Sequence, residues 1–180
     1  MFFCQSTSLK KATLPLPIWN IRQYMWDISS GTVGLLERTQ MLLTSLNSIV
    51  RKSIAGRTYA ATYGRLEKTP TMALNLQPGE LVEVKSKEEI LSTLDFTGRN
   101  RGLVFNAEML KYCNKKYRVF RRVDKMISEK THKMRKIANT VILEGSMCDG
   151  KTHGGCQRTC YCLWREIWLE RTSNQLDRAR

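Results

Sequence analysis

Four cysteines near the C-terminus have the residue type and the spacing to bind a metal ion. They fall within the fifteen residues of the segment CDGKTHGGCQRTCYC and are Cys148, Cys156, Cys160 and Cys162. Thiolates are soft ligands that favour zinc and iron–sulfur clusters, and four ligands complete a tetrahedral site. Glycines after Cys148 and before Cys156 allow the backbone to turn around an ion. The segment therefore predicts a metal site made largely of thiolates.

The full ligand set extends beyond this segment. The gaps between Cys148, Cys156 and Cys160 match no common zinc-ribbon spacing, so local spacing alone does not define the site. Cys113, which lies far away in the sequence, is the expected fourth ligand, and His153 competes for that place. A helix that begins near residue 155 would put Cys156 and Cys160 one turn apart on the same face.

Two other roles remain open for these thiols. Free cysteine is among the most buried residue types, and a helix over 156–171 would align two of the cysteines with apolar residues in one stripe. The members of this stripe are Cys156, Cys160, Leu163, Trp164, Ile167 and Trp168. Alternatively, one cysteine could act as a redox or catalytic thiol with His153 as its base.

A strongly basic stretch is the second feature with a chemical meaning. Residues 111–136 contain eleven Lys and Arg against two acidic residues, which leaves a charge of +9. Such a stripe could follow a phosphate backbone, with Tyr112, Tyr117 or Phe120 stacking on bases. The predicted binding residues are Lys115, Lys116, Arg118, Arg121, Arg122, Lys133 and Arg135. A solvated face, or a docking surface for an acidic partner protein, is the alternative.

Composition limits the class of protein. The chain has 180 residues and a formal charge of +14, with 42% hydrophobic and 26% charged residues, which excludes wholesale disorder and disulfide scaffolds. No apolar stretch approaches the length of a membrane span, and the first residues lack the order of a secretory signal. We therefore expect a cytoplasmic protein with reduced thiols. No catalytic motif is present, so the sequence leaves open whether the protein is an enzyme.

The N-terminal part, residues 1–78, is expected to form an arm with a helix. Pro15 and Pro17 favour an extended backbone over the first thirty residues, and the aromatic residues there suggest docking on this chain or on a protein partner. Apolar residues at three- and four-residue spacing predict an amphipathic helix over 32–52. Residues 53–78 are expected to connect this helix to the rest.

Residues 79–180 show the pattern of a small mixed domain. The alternation in residues 80–85 predicts a strand, and Ser86 with Glu89 has the spacing of a capping box for a short helix that ends near Gly98. Asn106 is expected to cap another brief helix. Residues 117–127 and 136–143 are expected to form a hairpin with its loop at 128–133.

The end of the chain completes this expected fold. A final helix is predicted over 156–171, and its Glu166 is expected to pair with Arg165 or Arg122. The order of elements predicts an α+β fold. It consists of a small SH3-like antiparallel barrel, which the C-terminal helix closes, and the N-terminal helical arm.

Four segments resemble an uncharacterised family of small bacterial proteins. They cover residues 79–171 and read GELVEVKSKEEIL, GRNRGLVFNAEMLKYC, YRVFRRVDKM and NTVILEGSMCDGKTHGGCQRTCYCLWREIWL. The resemblance implies a shared constellation of Cys113, Cys148, His153, Cys156 and Cys160, with Cys162 and Cys4 as additions. Genes for this family occur beside those for polysaccharide or natural-product assembly. Together with the zinc or iron–sulfur site expected from the clustered thiols, the resemblance implies an accessory or electron-transfer role in a biosynthetic pathway. The partner and the oligomeric state do not follow from the sequence.

Overall fold

The structure is a computed structural model that describes residues 4–17, 62–150 and 156–172, with isolated positions between 20 and 43. Its described helices are α1 (Gln5–Ala12), α2 (Lys87–Ser92) and two 3₁₀ helices (Ala107–Tyr112 and Glu166–Trp168). The strands are β1 (Leu81–Val84), β2 (Arg99–Asn100), β3 (Leu103–Val104), β4 (Lys116–Arg122), β5 (Lys125–Ile127), β6 (Met134–Lys136), β7 (Thr140–Met147), β8 (Tyr161–Arg165) and β9 (Leu169–Arg171).

A curled five-stranded antiparallel sheet dominates the described fold. Its strand order is β8-β7-β4-β1-β9, which forms a half-barrel, and β2-β3 and β5-β6 form two separate ribbons. The inner side of the sheet holds a core in which Phe105, Trp164 and Trp168 contact one another edge to face and are fully buried. The expected α+β class is therefore confirmed at this level, and the SH3-like assignment stays a prediction.

The sequence pattern after Gly79 predicts the first strand and helix correctly. Val82 and Val84 of β1 are fully buried, as the alternation requires, and Ser86 and Glu89 form the reciprocal capping box at the start of α2. The helix ends at Ser92, six residues earlier than expected. In place of the expected continuation, the Asp95 carboxylate accepts the backbone N–H groups of Thr97 and Arg99, which forms a turn.

The predicted hairpin is also confirmed, although it is divided into two ribbons. Strand β4 pairs with β7, and further along the chain β5 pairs with β6, with the loop closed between Ser128 and Lys133. Regular pairing is interrupted at 123–124 and 137–139, where the Val123 N–H still donates to Thr140 and the Ile137 N–H to Asp124. The β5-β6 ribbon therefore extends beyond the five-stranded sheet.

The predicted helix over 156–171 is wrong. Residues 161–171 form β8, a 3₁₀ turn and β9. The helical stripe in the sequence coincides with a strand pattern in which Cys162 and Trp164 are buried, Tyr161 is exposed and Leu163 is half-buried. Tyr and Trp favour the pleated surface of a strand, and pairing with β7 decides between the two patterns.

The N-terminal expectations are only partly within the described residues. Residues 5–12 form α1 instead of an extended arm, and the extended backbone begins at Thr13. The expected amphipathic helix over 32–52 lies outside the described residues, except for Thr39 and Leu43, which are helical. Residues 62–78 run along the half-barrel, where Leu76 is fully buried in its core. The division of the chain at residue 79 stays a prediction.

A buried carboxylate attaches this segment to the end of the sheet. Glu166 has no exposed surface and accepts hydrogen bonds from the backbone N–H groups of Leu74, Asn75 and Leu76, at 2.6, 3.1 and 3.1 Å. The Glu166 carboxylate also forms an ion pair with Arg122, at 2.8 Å. The expected pairing of Glu166 with Arg122 is thus confirmed. Asn75 has a φ of 52°, which turns the three N–H groups into a concave anion nest.

We expect Glu166→Gln to lower the free energy of unfolding by about 3 kcal/mol, because the amide cannot accept all these bonds and Arg122 loses its counter-charge. Urea unfolding followed by tryptophan fluorescence measures this change. The matched control is Glu170→Gln, which alters an exposed carboxylate on β9. Equal unfolding midpoints for the two variants would contradict the anchoring role of Glu166.

Candidate functional site

The first candidate site is the loop that joins β7 to β8 and carries four of the five predicted ligands, of which Cys148, Cys156 and Cys160 are among the described residues. The backbone N–H of Cys148 donates to the carbonyl of Cys160 at 2.8 Å, which closes the loop at its base. Gly150 has a φ of 71°, and a side chain there would collide with the carbonyl oxygen of Cys156. Glycine is therefore required where these two parts of the backbone cross.

The thiols of this region have different environments. Cys156 and Cys160 are exposed, Cys148 is half-buried, and Cys162 points into the core. Burial raises the pKa of the Cys148 thiol, and a hydrogen bond with Glu108 raises it further, against the opposing effect of the Gly150 N–H. Burial raises the pKa of Cys162 to about 11. The interpretation of Cys156 and Cys160 as core residues is thus wrong, and Cys162 is the buried thiol.

The 3₁₀ helix before β4 meets the start of this loop. The 3₁₀ helix Ala107–Tyr112 presents Lys111 and Tyr112 to the end of β7. The Tyr112 hydroxyl donates to the carbonyl of Met147 at 2.9 Å and accepts its N–H at 3.1 Å, while Lys111 pairs with Asp149 at 2.8 Å. Tyr112 is buried by these contacts, so the expectation that it could stack on a base is wrong.

The structure does not bring Cys113 to this loop. The charges that act on the pKa of Cys113 belong to Glu88 and Lys87 of α2, after the dominant effect of burial, which raises the pKa. Within residues 62–150 and 156–172, no three His, Cys, Asp or Glu side chains lie close enough to share a metal ion. His153 lies outside the described residues. The described thiols do not converge on one point in this structure, and the metal site predicted from Cys113, Cys148, His153, Cys156 and Cys160 stays a prediction.

The second candidate site consists of the outer surface of β4, the β5-β6 ribbon and Tyr161 of β8. We call this surface the basic face. The pairing of β4 with β7 shifts between Val119 and Arg121, so that Phe120 is an extra residue in a β-bulge. The bulge lets the consecutive side chains of Phe120 and Arg121 both face solvent, while Arg122 turns inward.

Two exposed aromatic rings stack on the basic face. Phe120 and Tyr161 keep 45% and 49% of their surface exposed, although their ring centroids are only 5.8 Å apart at an interplanar angle of 19°. They reach one another across β7, which lies between β4 and β8 in the sheet. The Arg121 guanidinium lies over the Phe120 ring at 5.8 Å. Sequence analysis missed Tyr161 because a helix was expected there.

Like charges oppose one another in the β5-β6 ribbon. Lys125 is the direct cross-strand partner of Lys136, and both are exposed. Directly opposed like charges destabilise a sheet, so this arrangement favours an external anion. The two acidic residues of the stretch do not compensate, since Asp124 pairs with Arg122 and Glu129 pairs with Arg158.

Most of the predicted binding residues are on the surface. The exposed members are Lys115, Lys116, Arg118, Arg121, Lys133 and Arg135. Arg122 differs, because its side chain is only 24% exposed and holds Glu166. It contributes to the fold instead of presenting a free cation. Tyr117 is half-buried against Tyr112, which leaves Phe120 as the accessible aromatic residue of the three that the sequence suggested.

Comparison of the chain with protein-family models, curated proteins and solved structures gives no match. The expected resemblance to a bacterial family therefore stays a prediction. Among the described residues, no helix has both the length and the apolar character that crossing a bilayer requires.

We expect alkylation to separate the thiols. At about pH 8, roughly one Cys162 in a thousand is ionised, because its pKa is about 11, and its side chain is also buried. A short iodoacetamide pulse followed by peptide mass spectrometry should modify Cys156 and Cys160 and leave Cys162 intact until urea is added. Equal modification of Cys162 in the native protein would contradict its placement in the core.

Proposed function

We propose that the protein binds single-stranded nucleic acid on the basic face. The observation that carries the proposal is the exposed Phe120–Tyr161 stack, which continues along β4 into a ribbon of uncompensated lysines. Proteins that bind single strands without strong sequence preference combine a positive track for the backbone with aromatic rings on which bases stack.

The charge distribution supports contact with phosphates. Lys125 and Lys136 repel one another across the ribbon, and a phosphate placed between them would remove this repulsion. Beside them, the acids of the stretch already pair with Arg122 and Arg158. Lys116 pairs with Glu83 at 4.0 Å, and the remaining positive charge of the basic face is available to an external polyanion.

The aromatic pair favours nucleic acid over an acidic protein partner. An acidic partner needs cations on this surface but does not require exposed rings. The outer face of Phe120 or Tyr161 offers a flat apolar surface on which a base could stack, and Arg121 adds a cation beside it. A partner protein at this face, or at the N-terminal arm, remains the competing outcome of the experiment below.

We expect Phe120→Ala and Tyr161→Ala each to weaken binding of a labelled oligonucleotide of about 20 nucleotides by roughly tenfold, because each removes a stacking surface. Fluorescence anisotropy with poly-U and poly-dT probes measures the affinity. Phe96→Ala is the matched control, since Phe96 is exposed on a different turn. Equal losses for all three variants, or no binding by the unmodified protein at low salt, would contradict the proposal.

We expect the double variant Lys125→Gln and Lys136→Gln to reduce the slope of log affinity against log salt by about one, because the two lysines share one phosphate contact. The control is Lys68→Gln with Lys87→Gln, two exposed lysines outside the basic face. Thermal unfolding without nucleic acid provides a second reading. There the ribbon variant should be no less stable than the unmodified protein, because the change removes the repulsion between opposed lysines. An unchanged salt slope would mean that Lys125 and Lys136 contact solvent and no phosphate.

We propose a zinc or iron–sulfur site at the β7–β8 loop as a second candidate function. The specific observation in its favour is the hydrogen bond between Cys148 and Cys160, which joins two thiol-bearing residues at the base of the loop, with the backbone of Cys156 crossing Gly150. Thiolates of Cys148, Cys156 and Cys160 would be the protein ligands, with His153 as the fourth. Because the three thiols do not converge in this structure, the ion would have to draw them together. All six cysteines are free thiols, which fits the reducing conditions of the proposed cytoplasmic location.

Elemental analysis with a visible absorption spectrum of anaerobically purified protein tests this site. We expect about one zinc ion or one cluster per chain, and its loss in Cys156→Ser and Cys160→Ser, because each substitution removes a thiolate ligand. Cys4→Ser is the control, and Cys113→Ser should also keep the metal, since Cys113 lies beside α2. A folded, colourless and metal-free sample would discard this candidate, and with it an electron-transfer role in a biosynthetic pathway.

A further inference from the structure

A small cavity lies at the end of β8, away from both candidate sites. Its volume is about 30 Å³, and it is partly open to solvent. Residues from four separate segments line it, among them Thr71, Arg101, Asn139 and Arg165. Tyr161 and Arg165 are at opposite ends of β8, which puts roughly 13 Å between their positions along the strand. The cavity is therefore distinct from the basic face.

Arg165 is a buried cation with unused hydrogen-bond donors. Its residue exposure is 9%, and its Nη1 donates to the carbonyl of Ala138 at 2.7 Å and to the hydroxyl of Thr140 at 3.0 Å. Its Nη2 donates to the carbonyl of Arg101 at 3.0 Å. A guanidinium has five N–H donors, and the Nε–H of Arg165 has no partner among the described residues. Nε and one hydrogen of Nη2 thus remain for a ligand.

The cavity has positive charge and no counter-charge of its own. Its lining contains two arginines, and none of the described lining residues is acidic. Burial lowers the pKa of the Arg165 guanidinium, and the nearby charge of Arg101 lowers it further. A buried charge without an opposite charge is costly to the fold, and a bound anion would compensate it.

We propose that this cavity binds a phosphate-class oxyanion, either inorganic phosphate or the phosphate group of a small monoester, between Arg165 and Arg101. The remaining donors of Arg165 suit the bidentate geometry in which guanidinium groups bind such oxyanions. Asn139 donates to the Thr71 hydroxyl oxygen at 3.2 Å, so the hydroxyl hydrogen of Thr71 can donate to the ligand. A phosphate, with nearly two negative charges at neutral pH, balances two arginines better than a carboxylate does.

The experiment follows the side-chain N–H of Arg165 by ¹⁵N NMR and the thermal unfolding midpoint of the full chain. Inorganic phosphate, methyl phosphate and acetate are each titrated at constant ionic strength with chloride. We expect the two phosphate ligands to shift the Arg165 Nε–H resonance and to raise the midpoint in a saturable way. Acetate should bind at least about tenfold more weakly, since it compensates only one charge. A larger effect of methyl phosphate than of inorganic phosphate would assign the site to monoesters, and the reverse to the free ion.

Three variants make the result specific. Arg101→Gln should weaken phosphate binding by about tenfold and still fold, because only the backbone of Arg101 makes the described bonds to Thr69 and Arg165. Arg99→Gln, which changes an exposed arginine outside the cavity, should bind like the unmodified protein. The variant with Lys125→Gln and Lys136→Gln should also bind normally. An unshifted Arg165 resonance, or equal weakening in Arg101→Gln and Arg99→Gln, would overturn the proposal and leave a water molecule as the partner of Nε.

Discussion

The buried carboxylate of Glu166 is the interaction on which the described fold depends. It lies in the 3₁₀ turn between β8 and β9, and it binds three consecutive N–H groups of residues 74–76 and the guanidinium of Arg122 on β4. One side chain thereby connects the segment before the sheet, a central strand and an edge strand. Because a carboxylate without these partners could not remain buried, the three parts must assemble together.

The same constraint determines what the neighbouring residues are able to do. Since Arg122 turns inward to Glu166, the next outward positions of β4 go to Phe120 and Arg121, which form the basic face. Arg165, beside Glu166 in sequence, donates instead to the turns around Ala138 and Arg101 and lines the small cavity. Structural and candidate functional arginines are thus adjacent in the chain, and only the partners of their side chains distinguish them.

Sequence patterns predicted those helices and strands whose stabilising contacts lie within a few residues along the chain. The capping box of Ser86 and Glu89 and the alternation of Val82 and Val84 are satisfied within a few residues, so the strand and the start of α2 could be predicted. The last part of the chain could not, because its periodicity fits a helix and a strand equally and pairing with β7 decides. For the same reason Tyr161 was missed, and the separation of Cys113 from the β7–β8 loop depends on tertiary packing that spacing does not encode.

The bulge in β4 has a consequence for how this surface could arise. Phe120 is the residue that β7 leaves unopposed, so a chain lacking it would restore a regular ladder with Val119 inward, Arg121 outward and Arg122 still directed at Glu166. The architecture therefore tolerates, but does not need, the ring at this position. A one-codon insertion or deletion here would add or remove the aromatic platform and leave every anchor of the molecule in place.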